Sequence, residues 1–310
     1  MENLTVNLDK AKLICSGNLE LDKDFKIDSF TTINLSGYYR YLDLNNKSLL
    51  TIGKSADELF NGVFFGAKDI TLVEKNPLII YYYYLKLAGL LTLSYKEFEW
   101  FFHKYLLNKH PNNKMFSKKL YRKIKPELLN INSDSYCFFT ELLDKYNSRV
   151  VRDKLFNDSG YHRKTIRSFD IYLRNEDAYN KTRDTIKDVN ITYINSDLLT
   201  SKVDLKYDII NLSSLCTKTT IYKLSSLIKK LDNNNLTNDG TIVLGYLWNN
   251  NMYTEEYPNV WQKIYDNPWN YRFISKYISE VLEVSSYRDI LWEDNKREDR
   301  VLIYHKNKDR

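Results

Sequence analysis

Four short clusters have residue types and spacing that could build one ligand site: Gly53-Lys54-Ser55, Glu74-Lys75-Asn76, Ser196-Asp197 and Asn211-Leu212-Ser213-Ser214. Glu74 lies 21 residues after Gly53 (74 − 53). A carboxylate about twenty residues past a glycine turn is placed to accept hydrogen bonds from ribose hydroxyls. Asp197 can accept from the amino group of an adenine. Asn211, Ser213 and Ser214 can hydrogen-bond a polar tail or a second reactant, but none is an evident base. A GxGxxG run, whose glycines admit a pyrophosphate against the backbone, is absent. The lone Gly53 therefore disfavours NAD and leaves a phosphate-free nucleoside. S-adenosylmethionine, with ribose, adenine and a zwitterionic tail, is such a ligand; the turn backbone and Ser55 would meet the tail. Each cluster also has a plain structural reading. Gly53 is then a strand-to-helix turn, Glu74 a solvent-facing strand end, Asp197 a turn residue, and Ser213 or Ser214 a helix cap.

The clusters fall where strands end. Residues 48–52, 69–73, 191–194 and 207–212 read as strands, the first short and apolar on both faces, as a parallel strand covered by helices is. Residues 56–65, with Asp57 and Glu58 in a first turn that favours acids, and 76–91 read as the helices between them. After 207–212 come a helix at 217–231 and a strand at 240–247. A helix near 273–282 and a last strand at 300–304 follow. Residues 94–180 interrupt this rhythm with an amphipathic segment at 95–107 and helical ones at 118–129 and 135–146, broken by Pro111, Pro126 and the polar 108–114; a helix at 167–186 then leads to the next core strand. The expected fold is α/β: a doubly wound, Rossmann-like (class I methyltransferase-like) sheet over 46–310 with a mostly helical insertion at 94–180. An N-terminal extension, 1–45, folds over it.

Composition sets limits. With 43% hydrophobic and 28% charged residues the chain is an ordinary globular protein. Its net charge of +6 is below the footprint of a dedicated nucleic-acid binder. The positive charge gathers in 103–125 (Lys104, Lys109, Lys114, Lys118, Lys119, Arg122, Lys123, Lys125). This is either a solvated helix face or a contact for an anionic partner such as lipid headgroups or RNA. Three scattered cysteines, Cys15, Cys137 and Cys216, suit a reducing compartment, and they and the four histidines lack metal-ligand spacing. The start of the chain has no signal-peptide core. The apolar stretch 77–95 is about long enough to span a membrane, but Lys86 in its middle and Glu74 before it mark a crossover helix. A cytoplasmic or membrane-peripheral location follows as the expectation.

The blocks TIGKSADELFNGVFFGAKDITLVEKNP and YLKLAGLLTLSYKEFEWFF, with YDIINLSSL further on, resemble S-adenosylmethionine-dependent 3-amino-3-carboxypropyl transferases of betaine-lipid synthesis and their uncharacterised relatives. The likeness spans roughly 34–107 and 185–250. Its most specific parts are Gly66–Pro77 and the helix pair at Leu85–Phe98. The resemblance departs at Glu74, where the family usually has Asp, in the sparser glycine turn, and in the shorter chain with a different insertion. It implies an enzyme with S-adenosylmethionine as cofactor, transferring a methyl or aminocarboxypropyl group to a small-molecule or lipid acceptor. Sulfonium chemistry needs alignment and dryness more than proton transfer. Tyr38, Tyr39, Tyr246 and Trp248 could offer ring faces to a sulfonium. Tyr38, Tyr39, Ser213 and Ser214 are the weak catalytic candidates, and Trp100, Phe101 and Phe102 could form an apolar entrance. The alternative is a non-catalytic nucleic-acid-binding or scaffold protein on the same fold.

Overall fold

The computed structural model describes residues 2–21, 26–53, 55–103, 115–157, 163–201, 203–217, 219–248, 275–286 and 298–307. Lys54, Lys104, Lys109, Lys114, Pro111 and residues 271–274 lie outside this set.

The apolar runs pair as their composition requires. Ser48–Thr51 (β1), Asp69–Val73 (β2), Asn190–Ile194 (β3), Tyr207–Asn211 (β4) and Leu236–Leu247 (β5) are parallel neighbours. Glu280–Ser285 (β6) and Glu298–His305 (β7) join antiparallel beyond β5. The sheet order is β3-β2-β1-β4-β5-β7-β6. The chain runs outward from β1 through β2 to β3, then returns to β4 and proceeds to β5. Strand order thus reverses between β1 and β4, which opens a crevice at the strands' carboxyl ends. This is the expected doubly wound, Rossmann-like sheet, with an antiparallel pair at one edge.

The N-terminal segment forms α1 (Glu2–Ser16) and α2 (Leu35–Tyr39); α3 (Asp57–Phe64) links β1 to β2. Beyond β2 come α4 (Pro77–Thr92), α5 (Tyr95–Phe102), α6 (Lys118–Ile131), α7 (Ser133–Lys145), α8 (Ser148–Leu155), α9 (Arg163–Phe169) and α10 (Glu176–Thr185). A last helix, α11 (Ile221–Asn234), links β4 to β5. Alternation along the strands splits the core in two. Leu49, Ile70, Ile209 and Val243 pack with α2, α3, α4 and the insertion helices. Leu50, Ile210, Ile242 and Leu244 pack with Leu224, Leu227, Ile228 and Leu231 of α11.

Helix α4 shows why a span-like sequence stays inside. Asn76 caps it by accepting from Leu78 N at 3.0 Å, and Pro77 opens its first turn. Helices α6 and α7 pack along it, and Gly89 lets Phe102 of α5 approach so closely that a Cβ there would lie 2.6 Å from the ring. Among the described residues no helix is long and apolar enough to cross a membrane.

Three local expectations are corrected. Pro126 does not break α6 but lies inside it; Ile124 and Leu128, both fully buried, hold the helix across the missing amide. The single helix expected over 167–186 is two, because Asp170 turns into the interior and Asn175 starts α10 by accepting from Ala178 N. The helix expected to end at Leu282 gives way to β6, whose register with β7 from Glu280 to Ser285 overrides the local pattern.

Candidate ligand-binding site

The turn after β1 is built around one contact. A Cβ on Gly53 would lie 2.0 Å from Oε2 of Glu58, so only glycine lets that carboxylate fold back over the turn. Ala56, the residue before α3, has φ +67°, and Ser213, after β4, has φ +49°. Both left-handed residues sit on loops that leave the strands' carboxyl ends, where backbone strain collects at functional sites. Ser213 is held there from two sides. Its N–H donates to Asn211 Oδ1 at 3.0 Å, and its carbonyl accepts from Tyr246 N at 2.9 Å. Gly245 makes room for this loop, since a Cβ would collide with Cys216 Sγ.

These loops surround a cavity of about 270 Å³ at the crevice between β1 and β4. Of the residues chosen from sequence, Gly53, Ser55, Glu74, Lys75, Ser196, Asp197, Ser213 and Ser214 line it, as does Trp248. Lys54 lies outside the described residues. Glu74 keeps its carboxylate on the rim by accepting Asn76 N at 3.0 Å through Oε1. Asp197 Oδ1 accepts Leu199 N at 2.9 Å, so the turn role and the cavity position coexist.

Asn76, Asn211 and Leu212 do not line the cavity. Asn76 is the α4 cap and Leu212 belongs to the α11-side core. Asn211 is fully buried, donating to Tyr39 Oη at 2.9 Å and Thr51 Oγ1 at 3.3 Å. Its reach to the site is indirect, through the Ser213 amide. Tyr38 and Tyr39 are buried with it, away from the cavity wall, and burial holds both phenols protonated. Tyr246 is buried too, donating to Asp299. Phe101 and Phe102 are fully buried core rings, and Trp100 packs against that core. Lys118, Lys119, Arg122 and Lys123 are exposed on α6, with Lys123 2.6 Å from Glu97.

The structure adds residues that the sequence patterns did not single out: Asp28, Thr31, Thr32 and Ile33 from the N-terminal segment, and Glu58 from α3. Nothing local marks Asp28 or the threonines; tertiary folding brings them over the strand ends. For Glu58 a signal did exist, a carboxylate five residues past a lone glycine, but it also suits a helix N-terminus. Glu58 is 3% exposed, and among the described residues Oε2 has no hydrogen-bond partner. Its pKa is pushed up to about 8, first by burial and then by neighbouring Asp57, against the pull of its backbone amide and Lys86. Below that pH the carboxyl stays neutral.

Next to it lies a charge cluster with every partner in place. Lys86 Nζ meets Asp57 Oδ1 at 2.5 Å and Ser55 O at 3.0 Å, and stands 4.3 Å from the Phe30 ring centre. Asp57 also accepts from Tyr172 Oη and from Thr31 N, each at 2.6 Å. The pair thus ties the N-terminal segment and the insertion to the turn that forms the cavity.

No known family profile and no curated protein match the sequence. Among solved structures the chain is similar to the N-methyltransferase NodS from Bradyrhizobium japonicum WM9 in complex with S-adenosyl-L-homocysteine. There the identity is 8%, the TM-score 0.38, and the match covers 87% of this chain and 85% of that one. It is also similar to the pyocyanin biosynthetic protein PhzM (9% identity, TM-score 0.35, 86% of this chain and 52% of that one). A third is PigF with SAH (8%, 0.34, 88% and 54%). The chain thus spans about half the length of the last two. Likeness at this distance assigns no activity.

Proposed function

We propose that this chain is an S-adenosylmethionine-dependent transferase that moves a methyl or 3-amino-3-carboxypropyl group to an acceptor. One observation carries the reading. Gly53, Glu74, Asp197 and Ser213, from the ends of four successive segments of the sheet, line one cavity at the strand-order reversal, where open α/β sheets bind ligands. The residues present fit the donor. Gly53, with no Cβ, lets the Glu58 carboxylate close over the turn, Glu74 and Asp197 offer acceptors on one side, and Ser55 and Ser213 offer donors near the turn. When bound, the donor supplies an electrophilic carbon on a sulfonium.

The chain's own work is to bind, align and exclude water. Thr31, Thr32 and Ile33 cover the strand ends, and Trp248 closes a wall while donating through Nε1 to Thr32 O at 3.3 Å. Alignment and desolvation contribute most to displacement with a good leaving group. The resemblance in sequence supports aminocarboxypropyl transfer, and the same cavity suits methyl transfer. Mass spectrometry of nucleosides formed from the donor separates them: methylthioadenosine marks the first, adenosylhomocysteine the second. Glu74→Ala is expected to weaken donor binding about tenfold, the worth of a charge-assisted hydrogen bond. Unchanged affinity together with no nucleoside product would overturn the reading.

A further inference from the structure

We infer that Glu58 is the receptor for a cationic nitrogen of the bound ligand, an ammonium seated against Oε2 beside Gly53. The inference rests on the transferase reading for the identity of its first probe. The site is built rather than incidental. Glu58 lines the cavity, and its Oε2 is buried and lacks a partner among the described residues, a state that proteins rarely leave uncompensated. Gly53 is the residue that permits the carboxylate to lie there.

Among the described residues, the charges around it are mostly of one sign. Those lining the cavity are four carboxylates, Asp28, Glu58, Glu74 and Asp197, and one lysine, Lys75. The nearest buried cation, Lys86, is committed to Asp57 and Ser55 O. The other described titratable groups whose charge acts on Glu58 are Asp28, Asp57, Asp170, Tyr38 and Tyr39. Each of these is an acid, and none can supply positive charge. A ligand ammonium supplies both the charge and the N–H donor that Oε2 lacks.

Two sources carry this chemistry: the α-ammonium of the donor's amino-acid tail, and an amine acceptor. Calorimetric titration of the wild type and Glu58→Gln with three probes separates them. The probes are adenosylhomocysteine, its analogue without the α-amino group, and 1,3-diaminopropane added to protein saturated with that analogue. If the tail is the source, Glu58→Gln weakens adenosylhomocysteine at least tenfold and leaves the deamino analogue unchanged. If the acceptor is the source, both nucleosides bind the two proteins alike, and diaminopropane loses at least tenfold in the variant.

A measurement on the wild type alone guards against a variant that fails to fold. A cation draws the proton off Glu58, so at pH 7 binding of the effective probe should release close to one proton. Its affinity should rise with pH up to about 8. Equal binding of all probes to both proteins, or no proton release, overturns the inference. If adenosylhomocysteine does not bind the wild type, the donor reading fails. The Glu58 assignment then stands only if diaminopropane, titrated into the free protein, still discriminates the variant.

Discussion

Asp57 and Glu58 are adjacent in the first turn of α3 and equally hidden, yet their surroundings are opposites. Asp57 has a lysine at 2.5 Å, a tyrosine hydroxyl and a backbone amide. Glu58 has an oxygen with no partner among the described residues and a pKa lifted to about 8. A buried carboxylate with all its partners in place is a joint of the fold. One that lacks a partner and faces a cavity is kept at a cost in stability, and ligand binding offsets that cost.

The largest effect expected from this contrast is at the paired acid. Asp57→Ala strands Lys86 in the interior and should cost about 3–5 kcal/mol, read as a lower midpoint in urea unfolding. The double change Asp57→Leu with Lys86→Met should recover much of that loss. If the single and double variants are equally unstable, the pair is not the joint described.

Gly53→Ala comes next. The added methyl must displace the Glu58 carboxylate, a strain of about 1–3 kcal/mol, and adenosylhomocysteine affinity should fall with it. Near-normal stability and binding would sever the Gly53–Glu58 link.

Glu58→Gln should act in the reverse direction, and through pH. The folded carboxyl holds its proton up to about pH 8, whereas the unfolded one ionises near its ordinary 4.5. The unfolded state therefore binds fewer protons between these values, and stability falls as pH rises across that window. The amide cannot ionise, so thermal unfolding of Glu58→Gln should lose less stability than the wild type between pH 5 and 8. Identical slopes would break the comparison.

The smallest effect is expected at the surface. Lys123→Ala removes an ion pair whose lysine is half exposed and should change stability by less than about 1 kcal/mol.

Much of the frame was legible locally. The strand at 69–73 and the helix that follows it carry their own signals: an apolar run, then Asn76 and Pro77 at the start of α4. The carboxyl-end clusters were legible too, because the α/β rhythm itself puts loops there. Legibility failed where neighbours decide. Asn211 looked like a ligand contact by position, but Tyr38, Tyr39 and Thr51 claim its side chain. The segment before Ser285 reads as helix alone and becomes strand because β7 offers an edge.

The division between sequence and structure follows from the range of the forces. Periodicity, glycine turns and helix caps act over a few residues, so the chain by itself determined the α/β alternation and four clusters at strand ends. Burial and pairing act between residues far apart in the chain. Only the tertiary structure could decide that Asp28 and Thr31 come to cover the crevice. It also decided that Lys86 would take Asp57 and that, among the described residues, Glu58 Oε2 would have no hydrogen-bond partner.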